Sequence, residues 1–363
     1  MKNNLVKNVF CAFKAIGATV LVVVCVFVLF ILFLTAVEYR PKETETLAVD
    51  ANTLRTVALG EPITVMTWNI GYGALGDNAD FFMDGGTMVR TASRARVQEN
   101  LAGIAEVVNS IAPDVLFLQE VDRASSRSHK IDEVAYMRSA LQPYASSFAN
   151  NYKVAYVPYP VPPLGKVDSG VLLMSVFGIA SSERVQLPIS FSWPVRVANL
   201  KRCLIVSRVP VANSSKELVL INLHLEAYDE GEGKIAQTAL FKDVVQKEID
   251  DGNYVIAGGD FNQVFSNVDD SRYPAQEGKW QAGKIDVASF SDDVRFLMDA
   301  KIPTCRSLDQ PYKDADKSSF QYYVIDGFVV SANVAVASCT TQDVGFVHSD
   351  HNPLVMEVTL TVE

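Results

Sequence analysis

The chain has 363 residues, 49% of them hydrophobic, which suffices for one large domain or two average ones. Its formal net charge of -10 excludes broad electrostatic capture of nucleic acid, although a divalent cation can neutralise phosphate locally. Five cysteines, two of them in or beside the first apolar run, exclude a disulfide framework and leave Cys203, Cys305 and Cys339 as expected buried thiols.

Residues 15–37 carry no charge, are dense in Val, Leu, Phe and Ile, and are long enough to span a bilayer as a helix. Lys2, Lys7 and Lys14 precede them, so residues 1–14 are expected in the cytosol and the rest outside the cell membrane. An uncleaved signal-anchor is expected rather than a cleaved signal peptide. The apolar run exceeds a typical signal core, and Leu34-Thr35-Ala36 is a poor cleavage site. Residues 38–61 read as a polar, flexible tether, whose reach would be about 25–30 Å. Residues 62–363 read as a single α/β domain without repeats or low-complexity segments.

In chain order, strands are expected at 63–69, 114–119, 170–175, 218–225, 254–258, 323–330 and 354–362. One helix is marked by an apolar stripe of Val97, Leu101, Ile104, Ala105, Val108 and Ile111, stopped by Pro113. A second is marked by Ile235, Ala239, Val244, Val245 and Ile249, stopped at Asp251-Gly252. Helices between apolar strands predict layered α/β packing.

Five strands close on a residue able to bind metal or phosphate: Asn69, Glu120, His224, Asp260-Phe261-Asn262 and Asp326. A sixth cluster, Ser349-Asp350-His351, precedes the last strand. One polar ending merely stops a strand; this many suggest side chains converging at the strand mouths. Glu120, Asp260 and Asp350 are hard oxygen donors suited to Mg²⁺ or Mn²⁺, and three carboxylates in one pocket would repel without a cation. No cysteine pairs with histidine at a zinc spacing. The set suits metal-assisted attack of water on phosphorus.

The segments TWNIG (67–71), DVLFLQEV (114–121), INLHLEA (221–227), GGDFN (258–262), IDGFVVS (325–331) and SDHNPL (349–354) resemble, in order, the endonuclease/exonuclease/phosphatase superfamily. That group includes DNase I-like nucleases, abasic-site endonucleases, neutral sphingomyelinases and inositol polyphosphate 5-phosphatases. The resemblance covers essentially all of 62–363. It implies a four-layer α/β sandwich of two packed, mostly antiparallel sheets flanked by helices, with the site at the sheets' shared mouth. By position, it implies that Glu120 with Asn69 holds the metal, with Asp350 beside it. It makes His351, oriented by Asp326, the general base or the proton-bearing partner of the phosphate. Asp260 would position the attacking water, and Asn262 and His224 would bind the scissile phosphate. Asp168 is a candidate support for His224, or equally a turn residue before a strand.

The insert from Gly71 to Arg96, with its glycines and Phe81-Phe82, suits a pocket-shaping loop or a surface loop packed on itself. Lys166 is a candidate phosphate contact, though an exposed loop lysine is ordinarily just solvated. Phe191-Ser192-Trp193-Pro194, near Arg196, Lys201 and Arg202, suits a rim touching lipid or bases, and such aromatics more often cover a core edge. Neither an abasic-site recognition helix nor the basic pocket of the inositol phosphatases is visible. The expectation is a membrane-anchored, extracytoplasmic, Mg²⁺-dependent phosphodiesterase acting on nucleic acid or a phospholipid headgroup, with no obligate protein partner. The rivals are a phosphomonoesterase of the inositol-phosphatase type and a catalytically inactive surface-binding module.

Overall fold

The computed structural model describes residues 2–50, 55–141, 143–229 and 231–361, with side chains from Lys7 onward. Among them, the α-helices are α1 (Lys2–Ala36), α2 (Arg94–Ile111), α3 (Glu133–Ala140) and α4 (Glu232–Asp250). The strands are β1 (Thr44–Thr46), β2 (Val49–Asp50), β3 (Pro62–Asn69), β4 (Val115–Asp122), β5 (Ala145–Val157), β6 (Gly165–Ser175), β7 (Ser181–Gln186), β8 (Cys203–Pro210) and β9 (Glu217–His224). They continue with β10 (Tyr254–Asp260), β11 (Gln263–Phe265), β12 (Gly283–Ile285), β13 (Val294–Leu297), β14 (Cys305–Arg306), β15 (Tyr322–Tyr323), β16 (Asp326–Ser331), β17 (Val334–Thr341) and β18 (Leu354–Leu360).

Two seven-stranded sheets carry the fold, one in the order β17-β18-β3-β4-β6-β5-β2 and the other β1-β7-β8-β9-β10-β16-β13. Each holds one parallel pair, β3 with β4 and β9 with β10, and is otherwise antiparallel. A parallel pair needs a crossover, and α2 and α4 supply one for each sheet. Side chains alternate with period two along the strands. Val65, Phe117, Leu173, Leu220, Ile256 and Phe328 therefore point between the sheets into one buried cluster. Met66, Trp68, Leu116 and Leu118 pack outward with Val97, Leu101 and Ile104 of α2. Val219, Ile221, Val255 and Ala257 pack outward with Phe241 and Val245 of α4. Helix, sheet, sheet, helix is the expected four-layer sandwich.

Helix α2 matches its expected stripe. It is capped by Ser93, whose side chain accepts from the Arg96 N–H, and ends at Ala112 in the left-handed region. The stripe expected for α4 is rotated: Ile235 is 72% exposed, and the buried face is Gln237, Phe241, Val245 and Glu248. Gln237 turns inward because its side chain accepts from the Glu226 N–H and donates to the Pro188 carbonyl. The strand expected at 323–330 is divided. Tyr322–Tyr323 pairs with Cys305–Arg306, and the sheet strand begins at Asp326. Strands β5, β7, β8 and β17 lie outside the expected set; β5 and β7 carry adjacent polar residues, whereas β8 holds a four-residue apolar run, Cys203-Leu204-Ile205-Val206, that signals a strand.

Helix α1 contains a 30-residue stretch, Lys7–Ala36, long and apolar enough to cross a membrane. The segment expected as a flexible tether is docked instead. β1 pairs with β7 and β2 with β5, each at an outer edge of its sheet.

Candidate active site

The carboxyl ends of the two parallel pairs meet at one edge of the sandwich. Alternation places Thr67, Gln119 and Asn222 between the sheets. There Gln119 Nε2 donates to Asn222 Oδ1 at 2.8 Å and to Thr67 Oγ1 at 3.1 Å. Asn222 Nδ2 in turn donates to the Leu118 and Leu172 carbonyls. This satisfied polar layer supports the next inward-facing residues, Asn69, His224 and Asp260. Asn69 Nδ2 donates to Asp260 Oδ2 at 3.0 Å and lies 3.4 Å from Glu120 Oε1, while Asn69 Oδ1 accepts from the Gly71 N–H. Strict alternation would turn Glu120 to the outer face. A bulge between Leu118 and Val121, with Glu120 at φ 55°, turns it into the cavity instead. Non-glycine residues tolerate that region only where their surroundings enforce it.

Asp326 and His351 arrive from strand beginnings rather than strand ends. β16 runs antiparallel to β10, so Asp326 opposes Asp260; β18 runs antiparallel to β3, so the segment before Leu354 lies beside the end of β3. His351 Nδ1 is 2.8 Å from Asp326 Oδ2, and its Nε2 faces Asp260 Oδ2 at 3.8 Å. His224 Nε2 approaches the same oxygen at 3.4 Å. Asn262, at φ 51°, donates its backbone N–H to Asp260 Oδ1 and its side-chain amide to the Leu225 carbonyl. Ser349 Oγ donates to the Asn69 carbonyl at 2.7 Å and lies 3.4 Å from Asp350 Oδ1. Trp68 Nε1 donates to the His351 carbonyl, pinning this loop.

Burial and the Asp326 charge push Asp260 up to about 7, against the pull of His351. Burial, partly offset by His351 and reinforced by Glu120, pushes Asp350 up to about 6. Burial works against charge on His351, but the Asp326 carboxylate and the Cys305 sulfur together outweigh it and hold the imidazole well above its ordinary value. His224 is driven well below it by burial and by the Arg202 and His351 charges.

Among the described residues, no lysine or arginine pairs with Glu120, Asp260 or Asp350. Oxygen and nitrogen donors of Asp260, Asp326 and His351 lie within 4.8 Å of one another, and donors of Cys305, Asp350 and His351 form a second such group. Asp350 is buried and Glu120 half-buried with no lysine or arginine partner among the described residues, and Asp260 meets only the two histidines; carboxyls so placed fit a divalent ion with a preference for oxygen.

Two expected residues are not brought to the site. Asp168 accepts from Asn150 Nδ2 at 2.8 Å, and the His224 Nδ1 it was expected to support is buried without a partner. Asp168 lies inside β6, where strand pairing with Lys153 fixes its direction. Lys166 is exposed and outside the cavity wall. The strand endings give no sign of Tyr72 or of the Thr67–Gln119–Asn222 layer, and Arg202, named only beside the Phe191–Pro194 rim, lines the cavity 3.5 Å from Glu226. Tyr72 sits buried at φ 41° with its hydroxyl unpartnered and the Arg127 guanidinium 3.6 Å over its ring. The flanking glycines in Gly71-Tyr72-Gly73 were the available signal.

The endonuclease/exonuclease/phosphatase family model matches residues 66–351. No curated protein matches the chain. Among solved structures, it is similar to an endonuclease/exonuclease/phosphatase from Beutenbergia cavernae, at 21% identity and TM-score 0.54, covering 83% of this chain and 72% of that one. A truncated Caenorhabditis elegans TDP2 gives 18% and 0.51, covering 83% and 99%. The human Nocturnin catalytic domain gives 18% and 0.51, covering 87% and 97%. Those likenesses are of fold. The match across 66–351, carried on a four-layer sandwich with carboxylates and histidines gathered at its mouth, makes this chain a member of the endonuclease/exonuclease/phosphatase family of phosphoester hydrolases.

Proposed function

We propose that the chain is a membrane-anchored, Mg²⁺-dependent phosphodiesterase. The observation that carries this reading is the cluster of Glu120, Asp260 and Asp350, unpaired with any lysine or arginine among the described residues, facing the Asp326–His351 pair. A surface-binding module has no use for mutually repelling carboxyls, two of them buried, which are costly to retain. The unburied apolar stretch of α1 supports the anchor, and Lys7 and Lys14 support a cytosolic N-terminus.

Glu120 and Asp350 would hold the ion, with Asn69 fixing the Glu120 and Asp260 carboxylates. Bound there, Mg²⁺ supplies charge stabilisation for the phosphate and lowers the pKa of water. Asp260 faces the water and takes its proton as the new oxygen–phosphorus bond forms. The phosphorus–oxygen bond to the leaving group breaks, and the leaving oxygen takes its proton from the His351 imidazole, which Asp326 keeps charged. His351, held by Asp326, and His224 present Nε2 to the phosphate side. Asn262 shapes the same wall through its strained backbone.

The test is turnover of bis(4-nitrophenyl) phosphate by the full chain in detergent, titrated with Mg²⁺. Activity that saturates with Mg²⁺ and disappears in Glu120→Ala is the expected result. Wild-type rates in that variant at limiting Mg²⁺ would remove Glu120 from the metal site.

A further inference from the structure

The space above the reactive floor is a cavity of about 640 Å³, and one of its walls comes from α1. Phe27, Ile31 and Leu34 line it together with Glu120, His224 and His351. Their spacing of four and three residues puts them on one helix face. Burial on this face grows toward the domain: Phe27 is 62% exposed, Ile31 is half-buried and Leu34 is 2% exposed, while the neighbouring Leu32 and Phe33 stay more than half exposed.

The end of α1 is locked to the catalytic layers at this point. Trp193 Nε1 donates to Thr35 Oγ1 at 3.1 Å. The Glu38 carboxylate, its side chain almost wholly buried, accepts from Arg196 Nε at 3.2 Å and lies 3.3 Å from Lys201 Nζ. The Phe30 ring meets Tyr156 edge-on, with centroids 6.1 Å apart. Around the same opening, large apolar side chains face outward: Tyr159 at 67%, Val161 at 93%, Ile189 at 43% and Trp193 at 53%. Tyr159 lines the cavity, and Val161, Ile189 and Trp193 lie within two residues of the lining residues Tyr159 and Phe191; exposed apolar groups gathered beside one opening suit an interaction surface. Here it surrounds the point where an apolar helix leaves the domain, and tryptophan and tyrosine favour the membrane–water boundary.

The inner walls are apolar, with Leu75, Phe81, Phe82, Phe191 and Val195 among them. Three of the four lysines and arginines that line the cavity have a carboxylate partner, and the fourth, Arg306, is buried on backbone carbonyls. Arg127 is bidentate on Asp122, and Arg202 pairs with Glu226 at 3.5 Å. Lys279 pairs with Asp309, and Arg306 donates to the Ser307 and Gly76 carbonyls. A polynucleotide backbone needs a run of available cations, and this wall lacks one among the described residues.

Resting on the phosphodiesterase reading, we infer that the cavity is a lateral portal for a phosphodiester lipid still seated in the membrane. The acyl chains lie along the Phe27–Ile31–Leu34 face, and the Tyr159–Val161 and Ile189–Trp193 loops sit in the interfacial layer. The phosphate then reaches the Glu120–His351 floor without the lipid leaving the bilayer.

The test uses the full chain reconstituted into vesicles of equal parts phosphatidylcholine, phosphatidylethanolamine, phosphatidylglycerol and sphingomyelin. Headgroup release and turnover of soluble bis(4-nitrophenyl) phosphate are read on the same sample. The Val161→Asp/Ile189→Asp variant alters only outward-facing rim residues. Headgroup release should fall about tenfold or more in it, with the soluble diester rate unchanged, as expected when apolar insertion drives interfacial docking. Independently, phospholipid brominated near the top of its acyl chains should quench tryptophan emission, and Trp193→Phe should remove most of that quenching. Turnover of the soluble diester without release of any of the four headgroups would overturn the portal and leave the phosphodiesterase standing. So would equal rates on vesicles for wild type and rim variant, or absence of quenching. Loss of both activities in wild type would instead defeat the phosphodiesterase reading itself.

Discussion

The floor and the mouth of the cavity are built on opposite principles. At the floor, the polar side chains are held by neighbours: Asn69 bridges two carboxylates, Asp326 holds His351, and the Thr67–Gln119–Asn222 layer lies beneath. At the mouth, large apolar groups from α1 and two loops face outward with few polar partners. A hydrogen-bonded floor fixes reacting groups within the small tolerances that chemistry needs. An apolar mouth fixes no atom in particular and suits a partner that is itself fluid. The difference separates chemistry from access, so variants at the two ends should fail in different ways.

The sharpest break is at the floor. His351→Ala should lower kcat by about 10²–10⁴-fold, and equally for soluble and vesicle substrates. A loss within about tenfold, or one confined to vesicles, would move His351 out of the chemistry. Next comes the ion. At a hundred times its Kd, Mg²⁺ should raise the unfolding free energy by about 2.7 kcal/mol. Chelator should abolish that gain, and Glu120→Ala should not show it; thermal or urea melts with and without Mg²⁺ measure it.

Gly71 is a smaller test of how tightly the floor is set. Its φ is 52°, and a Cβ there would lie 2.8 Å from Asp350 Oδ1 and from Leu75 Cβ. Gly71→Ala should cost about 1–2 kcal/mol through the backbone alone and also weaken Mg²⁺ affinity by displacing Asp350. Unchanged Mg²⁺ affinity would show that Asp350 stands clear of the ion.

The smallest effect lies where floor and mouth meet. Burial pushes Asp84 up to about 7, the Tyr228 hydroxyl bond resists, and the Asp350 and Glu120 charges add to the rise. Tyr228 Oη donates to Asp84 Oδ1 at 3.1 Å. A carboxyl raised in the folded state binds its proton more tightly than in the unfolded chain. Its contribution is therefore fully present below the ordinary value of 3.8 and is lost as pH rises toward about 7. Wild type should lose melting temperature across that window relative to Asp84→Asn. Parallel curves for the two proteins would assign the effect to other groups.

The floor was legible in the sequence because its residues sit at strand ends inside short apolar motifs, where period-two alternation predicts direction. Glu120 was named from its place after Leu116-Phe117-Leu118-Gln119, yet only the bulge explains why it faces inward. Asp168 was misread for the opposite reason: it looked like a residue before a strand, but the strand already runs through it. The mouth was hardly legible. Its wall combines Phe27–Leu34, Phe81–Asp84, Val157–Leu164 and Phe191–Val195, segments far apart in the chain and without a shared period. The Phe191–Trp193 rim was noticed but not tied to α1, because the hydrogen bond from Trp193 to Thr35 is a tertiary fact.

The docking of β1 and β2 has a practical consequence. These strands of three and two residues close an outer edge of each sheet, against β7 and β5. Cutting the chain at Pro62 to obtain a soluble fragment would strip both at once and uncover two rows of unpaired backbone groups. Such a fragment is expected to associate edge to edge and aggregate even though it lacks the apolar helix α1. A cut just before Tyr39 would spare both edges.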